Sequence, residues 1–206
     1  MLLKYDLPVL ETEIVLNEEQ LLLAVEKIGF PLVLKVFSTS VLHRTEKGLL
    51  RTGLQNLAET KRAFEELLSA SKNDQAFEGI LVQKQVKGVE LFCGLKQDKT
   101  FGHVLMFGLG GIFVEVLKDI VFGLCPLSQK EALDLISSIK GRKILDGFRG
   151  MPALDKNGLA EVLVKLSVLI SENPQIKEAD FNPIIVSGKD IFIVDAKMTE
   201  GRPPSF

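Results

Sequence analysis

The stretch from Ile184 to Val194 constrains the fold most, because it predicts a β-hairpin. Two apolar runs, Ile-Ile-Val and Ile-Phe-Ile-Val, flank a Ser-Gly-Lys-Asp turn. Asn182 stands before the first run and Asp195 follows the second. Because an antiparallel hairpin brings its two outer ends side by side, we expect Asn182 and Asp195 to lie close together at one end of a sheet.

The oxygen atoms of these two side chains suit a hard cation. Mg²⁺ binds a few carboxylate or carbonyl oxygens and completes its octahedron with water and substrate phosphates. One interpretation of the pair Asn182 and Asp195 is therefore a magnesium site with room for the phosphates of a nucleotide. The other is a surface hairpin whose polar ends serve only as turn residues. The spacing alone leaves both open.

Composition narrows the class of protein. A chain of 206 residues with 46% hydrophobic residues can bury a core in one large domain or two small ones. A net charge of −2, one tyrosine and no tryptophan argue against nucleic acid as a partner. Cys93 and Cys125 lack metal-ligand spacing and are expected to be buried, reduced thiols. No leader or membrane-length apolar run is visible, so we expect a cytoplasmic protein without a membrane partner.

Hydrophobic periodicity predicts a mixed α and β fold, of the α+β class. Strands are expected at 31–36, 79–84, 90–94 and 100–108, and helices at 17–28, 56–71, 128–140 and about 154–172. The turn between the third and fourth of these strands is placed at 96–99. A polar turn near Gly88 divides the chain into an N-terminal lobe of residues 1–87 and a C-terminal lobe of residues 88–206.

Several isolated residues have two interpretations each. Lys35 lies within an apolar run, where its ammonium either holds a phosphate or reaches water at the strand end. The segment Gly108-Leu109-Gly110-Gly111 either cradles phosphate with backbone N–H groups or is a glycine-rich turn. Glu115, four residues later, either completes a polar site or faces solvent.

Three further polar residues lie near predicted loops or strand ends. Glu90 follows the predicted lobe boundary, where a carboxylate could bind a ribose or simply face solvent. His43 lies in a polar loop, and a neutral imidazole is a good phosphoryl acceptor, although most loop histidines have no catalytic role. Arg149 is flanked by glycines and is either an anion contact or a surface arginine.

The order of these segments along the chain is more informative than any one of them. From Leu2 to about Met198 the chain resembles the ATP-grasp β subunit of the ADP-forming acetyl-CoA (acyl-CoA) synthetases, in the succinyl-CoA synthetase superfamily. The resemblance rests on Leu34-Lys35, Leu42-His43-Arg44-Thr45-Glu46, Gly102-His103-Val104-Leu105-Met106-Phe107-Gly108-Leu109-Gly110-Gly111, Gly147-x-Arg149-Gly150, Asp180-x-Asn182-Pro183 and Asp195-Ala196-Lys197.

This resemblance implies a fold and a set of site residues. The ATP-grasp fold clamps a nucleotide between two lobes. The implied catalytic residues are His43, which takes a phosphoryl group, and Asp180, which orients it. The implied nucleotide-binding residues are Lys35, Glu90, Gly110, Gly111 and Glu115, and the implied Mg²⁺ ligands are Asn182 and Asp195.

The resemblance also implies an activity and a partner. The reaction is acyl-CoA + ADP + phosphate ⇌ acid + CoA + ATP, with phosphate relayed through histidine in a heterotetrameric ligase. CoA recognition belongs to an α subunit or to another part of a fused chain, so this chain alone is expected to bind ATP or ADP with Mg²⁺ without turnover. A domain of a longer fused synthetase or acyltransferase and a non-catalytic nucleotide-sensing subunit are the alternatives. The second is favoured by one departure, Leu49 in place of a usual glycine after Gly48.

Overall fold

Two antiparallel sheets, each with helices packed on one face, make up the computed structural model, which describes residues 1–38, 48–111, 119–147 and 152–201. The chain divides into a small unit, residues 10–86, and a large unit, residues 1–9 with 87–206. Each unit has its own hydrophobic core. The α+β class predicted from the sequence is confirmed.

In the small unit, the part of the chain that the structure describes forms a four-stranded sheet and two helices. Its strands are β1 (Thr12–Val15), β2 (Leu32–Ser38), β3 (Leu50–Leu54) and β4 (Phe77–Lys84), in the order β1-β4-β2-β3; its helices are α1 (Glu18–Ile28) and α2 (Leu57–Ala70). The Asn17 side chain accepts the Gln20 N–H, and the Asn56 side chain accepts the Glu59 N–H, so an asparagine caps each helix. Gly29, at a φ of 70°, ends α1 as predicted.

Alternation along β2 separates the two faces of this sheet. Leu32, Leu34 and Val36 are fully buried in the core that includes residues from both helices. Residues between them, including Lys35, point to the opposite face. The strand that carries Lys35 therefore uses one face for packing against the helices and places Lys35 on the other.

The described residues of the large unit form a six-stranded sheet and two α-helices. Its strands are β5 (Val89–Asp98), β6 (Gly102–Leu109), β7 (Ile120–Leu124), β8 (Ile176–Ser187), β9 (Asp190–Ile193) and β10 (Ala196–Glu200); its helices are α3 (Gln129–Ser138) and α4 (Lys156–Glu172). The main strand order is β10-β8-β5-β6-β7, and β9 pairs with β8. Short 3-10 helices lie at Leu2–Tyr5 and Lys140–Ile144.

The core of the large unit lies on one face of its sheet. Leu91, Cys93, Leu105, Phe107 and Phe181 are fully buried in a core that also contains residues of α3 and α4. The neighbouring positions on these strands, including the even-numbered residues of β5 and β6, point to the other face.

The turn between β5 and β6 lies later than the predicted 96–99. Strand β5 continues to Asp98, and the turn occupies residues 99–101. The Asp98 carboxylate accepts the N–H groups of Thr100 at 2.7 Å and of Phe101 at 2.9 Å. This local bonding fixes the turn after Asp98 and also lowers the pKa of that carboxyl.

The first nine residues pack with the large unit, although the predicted boundary groups them with residues up to 87. Leu7 is buried in the core of the large unit. Ile193 N–H donates to the Pro8 carbonyl at 2.8 Å, and Lys165 bonds the Asp6 carboxylate at 3.0 Å. The two lobes as functional bodies, 1–87 and 88–206, stay a prediction. Among the described residues no helix is long and apolar enough to cross a bilayer.

Candidate functional site

The predicted hairpin is present and brings Asn182 and Asp195 together. Strands β8 and β9 pair from Ser187 opposite Asp190 to Ile184 opposite Ile193, with Gly188 at a φ of 60° in the turn. Past the end of β9, the Asn182 N–H donates to the Asp195 carbonyl at 3.2 Å. The two residues are therefore neighbours on adjacent stretches of chain, as the spacing predicts.

The donor chemistry of this pair fits Mg²⁺. Asn182 is exposed and Asp195 is half-buried, and Oδ1 of Asp195 accepts the Ala196 N–H at 3.1 Å. Among the described residues, no group of three or more His, Cys, Asp and Glu side chains could hold a metal ion. A pair of hard oxygen donors suits a cation that keeps water and phosphate in its remaining positions. Metal binding by this pair stays a prediction.

Asp180 lies two residues before Asn182, in an electrostatically unusual position. Part of it is open to solvent, yet the surrounding protein reduces the hydration of its carboxyl. This burial raises the pKa of Asp180, the negative charge of Asp195 raises it further, and the positive charge of Lys197 opposes both. The carboxyl groups of Asp180 and Asp195 are therefore close enough to interact.

Lys197 is a site neighbour that the sequence analysis names in a motif but assigns no role. It is directly opposite Asp180 in the pairing of β8 with β10. Its position two residues after Asp195 was the available signal, since side chains two apart in an extended chain share a face. Asp180 and Lys197 line a surface cavity of about 320 Å³. Lys96 and Glu178, which form an ion pair at 2.8 Å, line it as well.

Glu90 and the glycine segment also lie together. The Gly110 N–H donates to the Glu90 carbonyl at 2.7 Å. Gly111 has a φ of 60°, and a Cβ added to it would lie 2.7 Å from Oε2 of Glu90. The Glu90 side chain therefore lies over Gly111 in space that only a glycine leaves free. Three of the five predicted nucleotide-binding residues form one cluster in the large unit.

Lys35 belongs to the small unit. It is paired with Leu81 of β4 and Leu50 of β3, and only 6% of its surface is exposed. This burial argues against a lysine that merely reaches into water at the end of its strand. A buried ammonium is costly unless polar or charged groups surround it, so this position favours a specific role for the charge.

The remaining predicted positions lie outside the described residues. They are His43, Glu115 and Arg149. Leu49, which replaces the usual glycine, lies within the described residues. It is 9% exposed and belongs to the core of the small unit. The leucine therefore has a packing role there. Gly48 beside it has a φ of 66°, and no atom of the described residues lies within 4 Å of an added Cβ.

Comparison with known proteins identifies the family. A family model described as an ATP-grasp domain matches residues 1–199. The β subunit of acetate–CoA ligase [ADP-forming] I from Pyrococcus furiosus is 36% identical over 198 residues, which are 94% of this chain and 85% of that subunit. The 4-hydroxybutyrate–CoA ligase [ADP-forming] of Nitrosopumilus maritimus is 41% identical over 200 residues, 94% of this chain and only 29% of that ligase.

A solved structure agrees with these sequence relatives. The dinucleotide-forming acetyl-coenzyme A synthetase 1 of Ca. Korarchaeum cryptofilum, in complex with coenzyme A, Ca-AMPCP and HgCl⁺, superimposes with a TM-score of 0.92 at 37% identity. The match covers 97% of this chain and 89% of the solved chain. The ATP-grasp fold expected from the sequence is thus confirmed, and the chain belongs to the ATP-grasp family, among the β subunits and corresponding domains of the ADP-forming acid–CoA ligases.

Proposed function

We propose that this chain is the nucleotide-binding, phosphoryl-transfer subunit of an ADP-forming acid–CoA ligase, an enzyme that catalyses acyl-CoA + ADP + phosphate ⇌ acid + CoA + ATP. The observation that carries the proposal is the alignment of 94% of the chain with 85% of a ligase β subunit. The adjacency of Asn182 and Asp195 supports it from the geometry.

Asn182 and Asp195 hold Mg²⁺ in this proposal. When bound, the ion neutralises charge on the phosphates of ATP or ADP. The protein contributes one amide oxygen and one carboxylate, and the backbone bond between the two residues sets their spacing. Because this bond uses main-chain atoms, the side-chain oxygen of Asn182 is not consumed by it.

The nucleotide contacts are Lys35, Glu90, Gly110, Gly111 and Glu115. Lys35 supplies a point charge to the phosphates, as a buried lysine can without depending on a planar geometry. Glu90 binds the ribose through its carboxylate, and Gly111 permits that carboxylate to lie close to the main chain. Gly110 and Gly111 allow the main chain to approach the nucleotide without side-chain interference.

In the direction of ATP formation, His43 takes the phosphoryl group from an acyl phosphate on the partner subunit, which releases the acid, and then transfers it to ADP to give ATP. Its neutral imidazole is the nucleophile, and the second ring nitrogen needs a hydrogen-bond acceptor to fix the tautomer. Asp180 is the acceptor in this proposal. A carboxylate that is only partly hydrated and lies beside a cation suits this orienting role.

The partner is a CoA-binding α subunit in a cytoplasmic heterotetramer, or its equivalent in a fused chain. The fused form is favoured as the second candidate by relatives such as the Nitrosopumilus ligase, of which this chain spans 29%. In either arrangement the chain alone binds Mg²⁺ and nucleotide but does not form or consume acyl-CoA.

Phosphohistidine formation tests the proposal. The chain is co-expressed with the CoA-binding subunit from the same organism and incubated with Mg²⁺ and ATP carrying a labelled γ-phosphate. We expect a label that is acid-labile and base-stable, and that disappears in His43→Ala. His103→Gln is the matched control, because His103 is the other of only two histidines and bonds to the Ile176 carbonyl in the fold. Full label and full turnover in His43→Ala would refute the relay.

A further inference from the structure

Asp119 is a buried carboxylate to which the proposed mechanism assigns no role. It immediately precedes β7, and 5% of its surface is exposed. Its Oδ1 accepts the Lys140 N–H at 2.8 Å, and its Oδ2 accepts the Gly141 N–H at 2.7 Å. Each carboxylate oxygen thus has a backbone donor, which offsets the cost of burying the charge.

These two donors begin the 3-10 helix Lys140–Ile144. The residue before that helix, Ile139, is fully buried and makes no side-chain capping bond. Helix-starting N–H groups have no acceptor within the helix and need one from elsewhere. Asp119 supplies the acceptors from a distant part of the sequence. Its carboxylate therefore holds the first two residues of the helix, which we call the 140–141 turn.

Asp119 and Gly141 both lie close to the glycine segment, Gly108-Leu109-Gly110-Gly111. A Cβ added to Gly108 would lie 2.4 Å from the Asp119 carbonyl oxygen. A Cβ added to Gly141 would lie 2.4 Å from Cδ1 of Leu109. Asp119 therefore contacts the segment through its own main chain and holds in place the turn that packs against Leu109.

Leu109 is followed directly by the residues that contact Glu90. Leu109 is 1% exposed, and its side chain packs against the 140–141 turn. The Gly110 N–H then donates to the Glu90 carbonyl at 2.7 Å. A displacement of the turn would move Leu109 and, through it, the contact between Gly110 and Glu90.

We propose that Asp119 is a positioning residue for nucleotide binding. Its two hydrogen bonds fix the 140–141 turn, the turn fixes Leu109, and Leu109 sets the position of Gly110 and Gly111 against Glu90. The nucleotide part of this inference rests on the proposed function. The mechanical part concerns the fold alone and is measurable without a ligand.

Asp119→Asn tests both parts, because it keeps the size of the side chain but leaves one oxygen to accept from two N–H groups. We expect binding of Mg·ADP to the full chain to weaken about tenfold, within the range typical of coupling between two separate sites. Amide hydrogen exchange at Gly110 should accelerate by a similar factor, with no change at Leu163 in α4. Calorimetry and NMR provide these two readouts.

Three further variants separate positioning from general stability. Asp134→Asn removes an exposed carboxylate of neighbouring α3 and should change neither readout. Ile136→Val, in the core, should lower the melting temperature but leave Mg·ADP affinity as in the wild type. Gly141→Ala leaves the Asp119 carboxylate in place but pushes on Leu109, so it should weaken Mg·ADP binding as Asp119→Asn does.

Two results would count against the proposal in different ways. The first is a lower melting temperature for Asp119→Asn while Mg·ADP affinity and amide exchange at Gly110 stay as in the wild type. In that case Asp119 has only a structural role and the proposal is wrong. If the wild-type chain fails to bind Mg·ADP while Asp119→Asn accelerates exchange at Gly110, the proposed function and the nucleotide role of Asp119 both fall. Only the effect of Asp119 on the position of Gly110 within the fold would then remain supported.

Discussion

Replacing Gly111 by alanine should weaken nucleotide binding more than it destabilises the fold. Gly111 has a φ of 60°, and Gly102, the first residue of β6 in the same unit, has a φ of 76°. A side chain in this left-handed region costs about 1–2 kcal/mol. For a chain of this size, each kcal/mol of destabilisation lowers the melting temperature by about 2–4 °C. Gly111→Ala and Gly102→Ala therefore share the same backbone penalty.

The two sites differ in what the new methyl group meets. At Gly102 nothing lies within 4 Å of an added Cβ, whereas at Gly111 the Cβ would be 2.7 Å from Oε2 of Glu90. The end of a glutamate side chain moves at little cost, so stability should fall equally in both variants. Glu90, however, would lose its position over Gly111. We expect Mg·ADP affinity to fall about tenfold in Gly111→Ala, the effect of one lost bond to a charged group.

Thermal denaturation and titration calorimetry with Mg·ADP measure the two effects separately. The expected result is equal melting temperatures for Gly111→Ala and Gly102→Ala, with reduced affinity in Gly111→Ala only. Equal affinities would refute the role of the Glu90 position in nucleotide binding. A much lower melting temperature for Gly111→Ala than for Gly102→Ala would refute the argument that the Glu90 side chain moves aside at little cost in free energy.

Three further predictions concern charge, close packing and pH. Lys35→Met should weaken Mg·ADP binding about tenfold or more, whereas Lys84→Met, which removes a lysine bonded to the Phe30 carbonyl, should not. Gly108→Ala should destabilise the fold by about 1–3 kcal/mol in denaturant unfolding, since its Cβ would lie 2.4 Å from a backbone oxygen. Bonds from Ser128 lower the pKa of Glu131 below 4.5, so their stabilising effect is complete above that pH and lost as the pH falls through the folded-state value. The melting-temperature difference between wild type and Glu131→Gln should shrink correspondingly in acid.

Local patterns explain why the helix starts and the hairpin between Asn182 and Asp195 could be predicted. Asn17 and Asn56 each accept an N–H three residues later, a bond that needs no distant partner. The hairpin around Gly188 depends only on a turn sequence between two apolar runs. Its register then places Asn182 beside Asp195 without information from elsewhere in the chain.

Contacts between distant segments could not be predicted in the same way. Nothing near Asp119 in the sequence indicates that its partners are the N–H groups of Lys140 and Gly141. Likewise, Leu7 carries no local signal that it packs with the large unit. The raised pKa of Asp180 depends on packing and on charges brought next to it by strand pairing.

Some candidate roles came from the family resemblance and not from local pattern. His43 and Glu115 are assigned in that way, and both lie outside the described residues. For these two, chemistry and sequence order support a role, and geometry adds nothing. The labelling of His43 and the affinity of nucleotide-site variants are therefore the evidence that these assignments need.

Magnesium-dependent nucleotide binding tests the central claim most directly. The affinity of ADP for the full chain is measured by calorimetry with and without Mg²⁺, for the wild type, Asp195→Ala and Asp190→Ala. Asp190 is an exposed carboxylate of the same hairpin and serves as the matched control. We predict that Mg²⁺ strengthens ADP binding in the wild type and in Asp190→Ala but has no effect in Asp195→Ala. The same Mg²⁺ dependence in all three proteins would contradict the metal site at Asn182 and Asp195.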